Sequence, residues 1–306
     1  MNKHINFNFE HAICYSGFRD GQSPESGIFP SYEEIKEDLL ILQGNWEYLR
    51  LYDCDLHSEI VLEVIRNEGF DFKVMLGAYI VAEVNNYNCA WGGVYSEEQL
   101  INNQVVNYNR ICKLIQLANQ YPEIITSLSA GNEATVEWTD HMVPVEKVIY
   151  YVQLIKSECT QPVTFCENYL PWLGKLKPLA EVVDFISIHT YPVWEYKTIH
   201  EAMDYTKENY YAVVNAFPDQ QVVITEAGWA TNSNGRGIEP SNVNEELQAI
   251  YFKQLIEWSR SNGVLTFVFE AFDENWKGSQ EILEPEKHWG LYRTNRTPKL
   301  AMQLEW

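Results

Sequence analysis

Val182-Val183-Asp184-Phe185-Ile186-Ser187-Ile188 is the stretch of sequence that decides the fold. It is too short for a helix and rich in β-branched residues, and its apolar residues are nearly continuous rather than alternating. Such a pattern is typical of a parallel strand that is covered on both faces. Similar apolar runs recur along the chain, and the predicted strands are 11–15, 46–51, 72–78, 124–130, 162–166, 182–188, 221–225 and 264–270.

Helical patterns lie between these runs. Ser31-Tyr32-Glu33-Glu34 and Ser96-Glu97-Glu98-Gln99 both fit a capping box, and Asn262-Gly263 is a helix stop signal. The predicted helices are 32–42, 57–67, 97–119, 145–157, 200–216 and 243–261. This alternation predicts an α/β fold, a closed (β/α)₈ TIM barrel. A doubly wound sheet is disfavoured because the chain has no G-x-G-x-x-G turn. No linker-like stretch divides the sequence, so we expect a single domain over residues 1–306.

Composition excludes several classes of function. The chain has 43 acidic and 22 Lys or Arg residues, a formal charge of −21 that would repel nucleic acid. Its apolar runs, such as Val264 to Phe269, are far shorter than the roughly 20 residues that span a bilayer. Six cysteines form no C-x-x-C pair and do not cluster with histidine, so no metal site or redox motif is expected. Free thiols are expected, although one disulfide is compatible with the sequence.

Two glutamates follow predicted strands at the face where barrel enzymes build their sites. Glu133 follows the fourth strand in Ser129-Ala130-Gly131-Asn132-Glu133, and Glu226 follows the seventh in Ile224-Thr225-Glu226-Ala227-Gly228-Trp229. The small residues nearby suggest a close approach of the backbone to a ligand beside an aromatic platform. Two carboxyl groups facing each other across a pocket are what the cleavage of a glycosidic bond requires. Each could instead cap a helix or pair with a cation.

The chain resembles glycoside hydrolase family 17, the β-1,3-glucanases and their relatives. The resemblance rests on Gly131-Asn132-Glu133, Glu226-Ala227-Gly228-Trp229, Phe272-Asp273-Glu274-Asn275-Trp276-Lys277 and Trp289-Gly290-Leu291-Tyr292, supported by Arg50-Leu51-Tyr52-Asp53. It implies a retaining mechanism on a barrel, with Glu133 as acid/base and Glu226 as nucleophile and with no cofactor or metal. Such a mechanism requires carboxyl groups roughly 5–5.5 Å apart.

The same resemblance implies roles for neighbouring residues. Asn132 would hydrogen-bond the sugar 2-hydroxyl, and Tyr191 would orient the nucleophile. Arg50 would hold the nucleophile ionised, or it could simply neutralise Asp53 and Asp55.

Glu274 and Lys277 would form a polar network close to the acid/base, or they could be a structural ion pair. Sugar rings stack on aromatic side chains, and Trp229 and Trp276 are the first candidates for that contact. Tyr169, Trp91 and Trp194 fall in or beside other loops at the strand ends.

Two positions depart from the plant-type pattern. Ala230-Thr231 stands where Pro-Ser is common, and His189-Thr190-Tyr191-Pro192 stands where Asn-x-Tyr-Pro is common. Both carboxylates are retained, so we expect the departures to affect the binding subsites.

The sequence therefore predicts an endo-β-1,3-glucanase that hydrolyses laminarin-like glucan. A β-1,3-glucan transglycosylase would use identical catalytic residues, and a non-catalytic glucan-binding barrel is a third possibility. We expect a monomer with no nucleic-acid partner and no membrane span. Because a polymer cannot enter a cell, we expect a secreted, periplasmic or cell-surface protein whose leader is absent from this sequence.

Overall fold

The computed structural model describes residues 6–306 and contains a closed barrel of eight parallel strands in chain order. Strand β1 closes the barrel against β8, with Ala12 opposite Phe267. The strands are β1 His11–Cys14, β2 Tyr48–Leu51, β3 Lys73–Gly77, β4 Ile125–Asn132, β5 Val163–Asn168, β6 Ile186–Thr190, β7 Val222–Ala227 and β8 Thr266–Val268. The predicted (β/α)₈ barrel is confirmed, and each strand lies within or beside one of the eight apolar runs.

The helices pack around the barrel. They are α1 Tyr32–Leu42, α2 Leu56–Glu68, α3 Glu97–Gln120, α4 Val145–Glu158, α5 Tyr169–Trp172, α6 Lys177–Ala180, α7 Ile199–Ala216 and α8 Glu245–Asn262. Both predicted capping boxes form, at Ser31 with Glu34 and at Ser96 with Gln99. Gly263 ends α8 in the left-handed conformation, with φ of 64°. Leu300–Gln303 is a 3₁₀ turn that packs against α8.

The connection between β5 and β6 differs from the other connections. It holds two helices of four residues each, α5 and α6, neither of which the sequence patterns predicted. Each helix carries a proline in its first turn, Pro171 in α5 and Pro178 in α6, where the missing N–H leaves no intrahelical hydrogen bond unmade.

Two glycines beside the predicted catalytic residues are required by packing within the protein. A Cβ atom on Gly228 would lie 2.1 Å from the carbonyl oxygen of Phe269. Gly131 has φ of 150°, and its Cβ would lie 2.8 Å from Ile80 and from Phe165. These small residues let the barrel's own strands and loops come close, and the approach of a ligand to them stays a prediction.

All six cysteines are free thiols, and most of them are buried. None of the helices among residues 6–306 is both long and apolar enough to cross a bilayer.

Candidate active site

Glu133 and Glu226 meet at the carboxyl ends of the strands. Glu226 is the second-to-last residue of β7, and Glu133 follows β4 directly. One carboxylate oxygen of each and a ring nitrogen of His189 all lie within 4.8 Å of one another. We call these three residues the β4–β7 cluster. The pairing register shifts near the carboxyl ends of β4, β6 and β7, and such bulges turn side chains at a strand end toward the barrel axis.

Glu226 is buried among hydrogen-bond donors. Oε1 accepts from Arg50 Nη1 at 2.5 Å and from the Tyr52 hydroxyl at 3.0 Å, and Oε2 accepts from the Tyr191 hydroxyl at 2.5 Å. Burial alone would raise the pKa of Glu226, but the charges of His189 and Arg50 and the bonds from Tyr191 and Arg50 hold it below its usual value. The group is thus kept as a carboxylate, the form that can attack carbon.

Arg50 spans the site from β2. Besides Glu226 it reaches the carbonyl oxygen of Thr225 at 3.0 Å and Oδ1 of Asn132 at 2.5 Å. Asp53 has a different cation, Arg110, at 3.7 Å. Of the two roles considered for Arg50, the contacts fit support of Glu226.

Glu133 is held differently from Glu226. Its backbone has φ of 45°, an unusual conformation for a residue other than glycine. Its backbone N–H donates to the carbonyl oxygen of Cys166 at 2.9 Å. The side chain is 27% exposed, against 6% for Glu226. Its hydrogen-bond partner among the described residues is His189, at 2.8 Å. One part of the Glu133 carboxyl therefore faces the cleft, where it can exchange a proton with a ligand.

His189 is the residue that the sequence analysis undervalued. Its Nδ1 lies 2.8 Å from Glu133 Oε1 and 3.3 Å from Glu226 Oε2, and its side chain is fully buried. The signal was its position two residues before Tyr191, which places both side chains on one face of the strand end. The departure from the plant-type pattern therefore lies between the two carboxyl groups and not in a binding subsite, which corrects the expectation above.

Asn132 presents its amide to the cleft in one orientation. Because Oδ1 accepts from Arg50, the amide nitrogen is left as the donor for a ligand. A second unpredicted histidine fixes its backbone: His141 Nε2 contacts the carbonyl oxygen of Asn132 at 3.0 Å, while Nδ1 contacts Asp140 at 2.8 Å. Burial alone would lower the pKa of His141, but the bonds to Asp140 and Asn132 raise it.

Glu270, Lys277 and Glu274 form a second cluster after β8, here called the β8 cluster. Lys277 Nζ lies 2.6 Å from Glu270 and 2.5 Å from Glu274, and both carboxyl groups are buried. Glu274 Oε1 also accepts from the Ser16 hydroxyl and from the indole nitrogen of Trp276. Of the two interpretations given above for Glu274 and Lys277, these contacts fit the structural ion pair.

The aromatic residues divide into buried and accessible ones. Trp229 is 1% exposed, donates to the carbonyl of Asn242 at 3.0 Å and packs on Tyr251. The prediction that Trp229 stacks on a sugar is wrong, because the loop after β7 folds its ring into the core. Trp276 is partly exposed beside Glu274, and Tyr169 is half-buried with its hydroxyl 3.4 Å from that of Tyr205.

A further aromatic surface lies on the loops after β3 and β4. Trp91 is 60% exposed and Trp138 is 41% exposed. Asn86 fastens the two loops together, since its side-chain nitrogen donates to the carbonyl oxygens of Glu137 and Thr139. Sequence reasoning named Trp91 but not Trp138.

The family model described as the BtgE/BtgC glycoside hydrolase domain matches residues 12–290. A putative glucan endo-1,3-beta-glucosidase from Aspergillus niger is 25% identical over 90% of this chain, and the chain spans 40% of that relative's length. A solved endo-laminarinase from Formosa Hel1_33_131 is 26% identical with a TM-score of 0.81, and the match covers 96% of this chain and 85% of that one. A Rhizomucor miehei beta-1,3-glucanosyltransferase, solved with laminaritriose, shares the fold at 19% identity and a TM-score of 0.75, with coverage of 95% and 96%.

Proposed function

The chain belongs to the BtgE/BtgC group of glycoside hydrolase family 17, and we propose that it is a retaining endo-β-1,3-glucanase acting on laminarin-like glucan. The observation that carries the proposal is the approach of Glu133 and Glu226 to within 4.8 Å. An inverting enzyme needs a gap of about 6.5–9.5 Å to hold water between its carboxyl groups, whereas a retaining enzyme needs about 5–5.5 Å.

In the first step Glu226 attacks the anomeric carbon and Glu133 gives its proton to the glycosidic oxygen. The bond between that oxygen and the anomeric carbon breaks, the leaving chain departs as an alcohol, and a glycosyl ester forms on Glu226. The donors around Glu226 suit this role, because Arg50, Tyr52 and Tyr191 fix both oxygens of the carboxylate. The free amide nitrogen of Asn132 would hydrogen-bond the sugar 2-hydroxyl.

In the second step Glu133 acts as a base. It takes a proton from a water molecule as the water oxygen attacks the anomeric carbon, and Glu226 leaves as a carboxylate. The anomeric configuration is inverted twice and so retained. The partial exposure of Glu133 supports this role, since water must reach it.

The substrate is proposed from the relatives and from the accessible aromatic residues. Trp276 beside the β8 cluster, and Trp91 and Trp138 on the fastened loops, would stack on glucose rings along the cleft. We also propose that the protein acts outside the cytoplasm, since such a polymer cannot enter a cell, and that it is a monomer.

A time course with linear β-1,3-glucan, resolved by product length, tests the proposal. Mid-sized oligosaccharides that appear early and then shrink are expected. A defined β-1,3-oligosaccharide serves as the second substrate, and products longer than it would show a transglycosylase instead. No cleavage of either substrate by a folded protein would contradict the proposal, and binding without cleavage would indicate a non-catalytic barrel.

A further inference from the structure

We propose that His189 is a positioning residue. Its one N–H is shared as a hydrogen-bond donor between the nucleophile and the acid/base, and it donates to the acid/base alone when the glycosyl ester forms. This inference rests on the proposed function, and it assigns a task to a residue that the two-carboxylate mechanism does not use.

The geometry leaves one arrangement of the proton on Nδ1. Both neighbours of that nitrogen are carboxylate oxygens, Glu133 Oε1 at 2.8 Å and Glu226 Oε2 at 3.3 Å. Glu226 is ionised and can only accept a hydrogen bond, and Oε1 of Glu133 can accept one whether or not the other oxygen carries the acid's proton, so Nδ1 carries the hydrogen. The hydrogen bond is shared unequally, because Nδ1 lies closer to Glu133 than to Glu226. The other oxygen of Glu226 accepts from Arg50 and Tyr52.

The surroundings keep the imidazole charged. The titratable groups that face it are Glu133 after β4, Cys166 and Glu167 on β5, and Glu226 on β7. Burial would lower the pKa of His189, but Glu226, Cys166 and Glu133 raise it to about 10. The site thus holds one buried cation between two carboxyl groups whose charges change during turnover.

Formation of the ester changes this balance. Glu226 loses its negative charge when it bonds to the anomeric carbon, so the N–H of His189 retains one anionic acceptor. That acceptor is Glu133, which has just given its proton to the leaving oxygen. The imidazolium stabilises the new carboxylate until it takes a proton from water, and the release of Glu226 restores the shared bond. No proton leaves His189 at any step.

His189→Asn is the informative variant, because Asn keeps a short N–H donor, removes the charge and restores the plant-type residue. Without the cation Glu133 and Glu226 lose the positive charge that lies 2.8 Å and 3.3 Å from their oxygens. Because His189 is the largest of the groups that lower the pKa of Glu226, we expect the acid limb of kcat/KM to move up by about 1 to 2 pH units, and the alkaline limb to move in the same direction. With an activated aryl glycoside, hydrolysis of the ester should become the slow step and a burst of phenol should appear.

His57→Asn is the matched control. His57 is also buried, and burial lowers its pKa to about 4, so it is uncharged at working pH. Its replacement should leave both limbs in place. A His189→Asn profile that falls in height without moving along the pH axis would reduce His189 to a packing residue and overturn the inference.

A titration of the wild-type imidazole by ¹⁵N NMR decides the point without any activity. We expect His189 to stay protonated above pH 8 in the free protein, and its proton to be lost at lower pH once a 2-fluoro sugar is trapped on Glu226. A neutral His189 at pH 7 would overturn the inference while leaving the proposed function intact. Failure of the wild type to cleave glucan would overturn the proposed function first.

Discussion

Two places at the barrel mouth each set a cation between two carboxyl groups, and they differ in access. In the β8 cluster Lys277 joins Glu270 and Glu274, and both acids are at most 1% exposed. In the β4–β7 cluster His189 joins Glu133 and Glu226, and Glu133 is 27% exposed. In the β8 cluster the group open to solvent is Lys277, at 18%, and such a set can hold loops together, whereas the β4–β7 cluster leaves open a carboxyl group that a substrate can reach. Access, rather than the number of acids, separates reactive from structural carboxylates here.

The largest effect should come from the nucleophile. Glu226→Gln keeps the shape of the side chain but removes the attacking carboxylate, and we expect glucan cleavage to fall by about 10⁴- to 10⁶-fold. Steady-state rates on linear β-1,3-glucan measure it, with circular dichroism to confirm folding. A folded variant with near wild-type turnover would show that Glu226 is not the nucleophile. The β4–β7 cluster would then be no more reactive than the β8 cluster.

The acid/base should be next. Glu133→Ala removes the proton donor, and we expect a loss of about 10²- to 10⁴-fold on glucan, with a much smaller first-step loss on aryl glycosides whose leaving groups need no proton. Glu137→Ala, four residues along the same loop and exposed, is the control and should behave as wild type. Equal losses on both substrates would exclude a proton donor at Glu133.

The β8 cluster should respond in stability. Lys277→Met leaves two buried carboxyl groups without their cation, and we expect unfolding free energy to drop by about 3–5 kcal/mol. Urea denaturation measures the change. Lys253→Met, at an exposed pair 3.9 Å from Glu257, should cost less than about 1 kcal/mol. A stable Lys277→Met protein with impaired catalysis would instead place the β8 cluster in the mechanism.

The smallest effect should come from the outer aromatic surface. Removing one stacking face should cost about 0.5–1.5 kcal/mol of binding, so Trp91→Ala should raise KM for long glucans by about 2- to 10-fold. Tyr150→Ala, an exposed aromatic on α4, is the control. Unchanged KM over a series of chain lengths would remove Trp91 from the cleft.

The sequence predicted the barrel well because each strand is a short apolar run bounded by turn or cap signals. Because both faces of such a strand are buried, nearly all of its residues must be apolar. The capping boxes at Ser31 and Ser96 mark where two helices begin. The two four-residue helices between β5 and β6 escaped because each is about one turn long, too short to show a helical period.

The site was predicted in part. The positions of Glu133 and Glu226 at strand ends brought them together, and their roles stay predictions until the variants are made. Trp229 misled because sequence cannot show that a loop folds its ring inward. Tyr52 was missed as a member of the site and His189 was given too little weight, although Tyr52 lies two residues from Arg50 and His189 two residues from Tyr191, so each shares the face of a predicted site residue.

The left-handed backbone at Glu133 has a consequence for protein engineering. A side chain in that conformation costs the folded state of order 1 kcal/mol, which glycine would recover. A library selected for heat resistance alone would therefore enrich glycine at position 133 and lose the proposed acid/base while gaining stability. Selection for robustness in this barrel has to be coupled to turnover at every round.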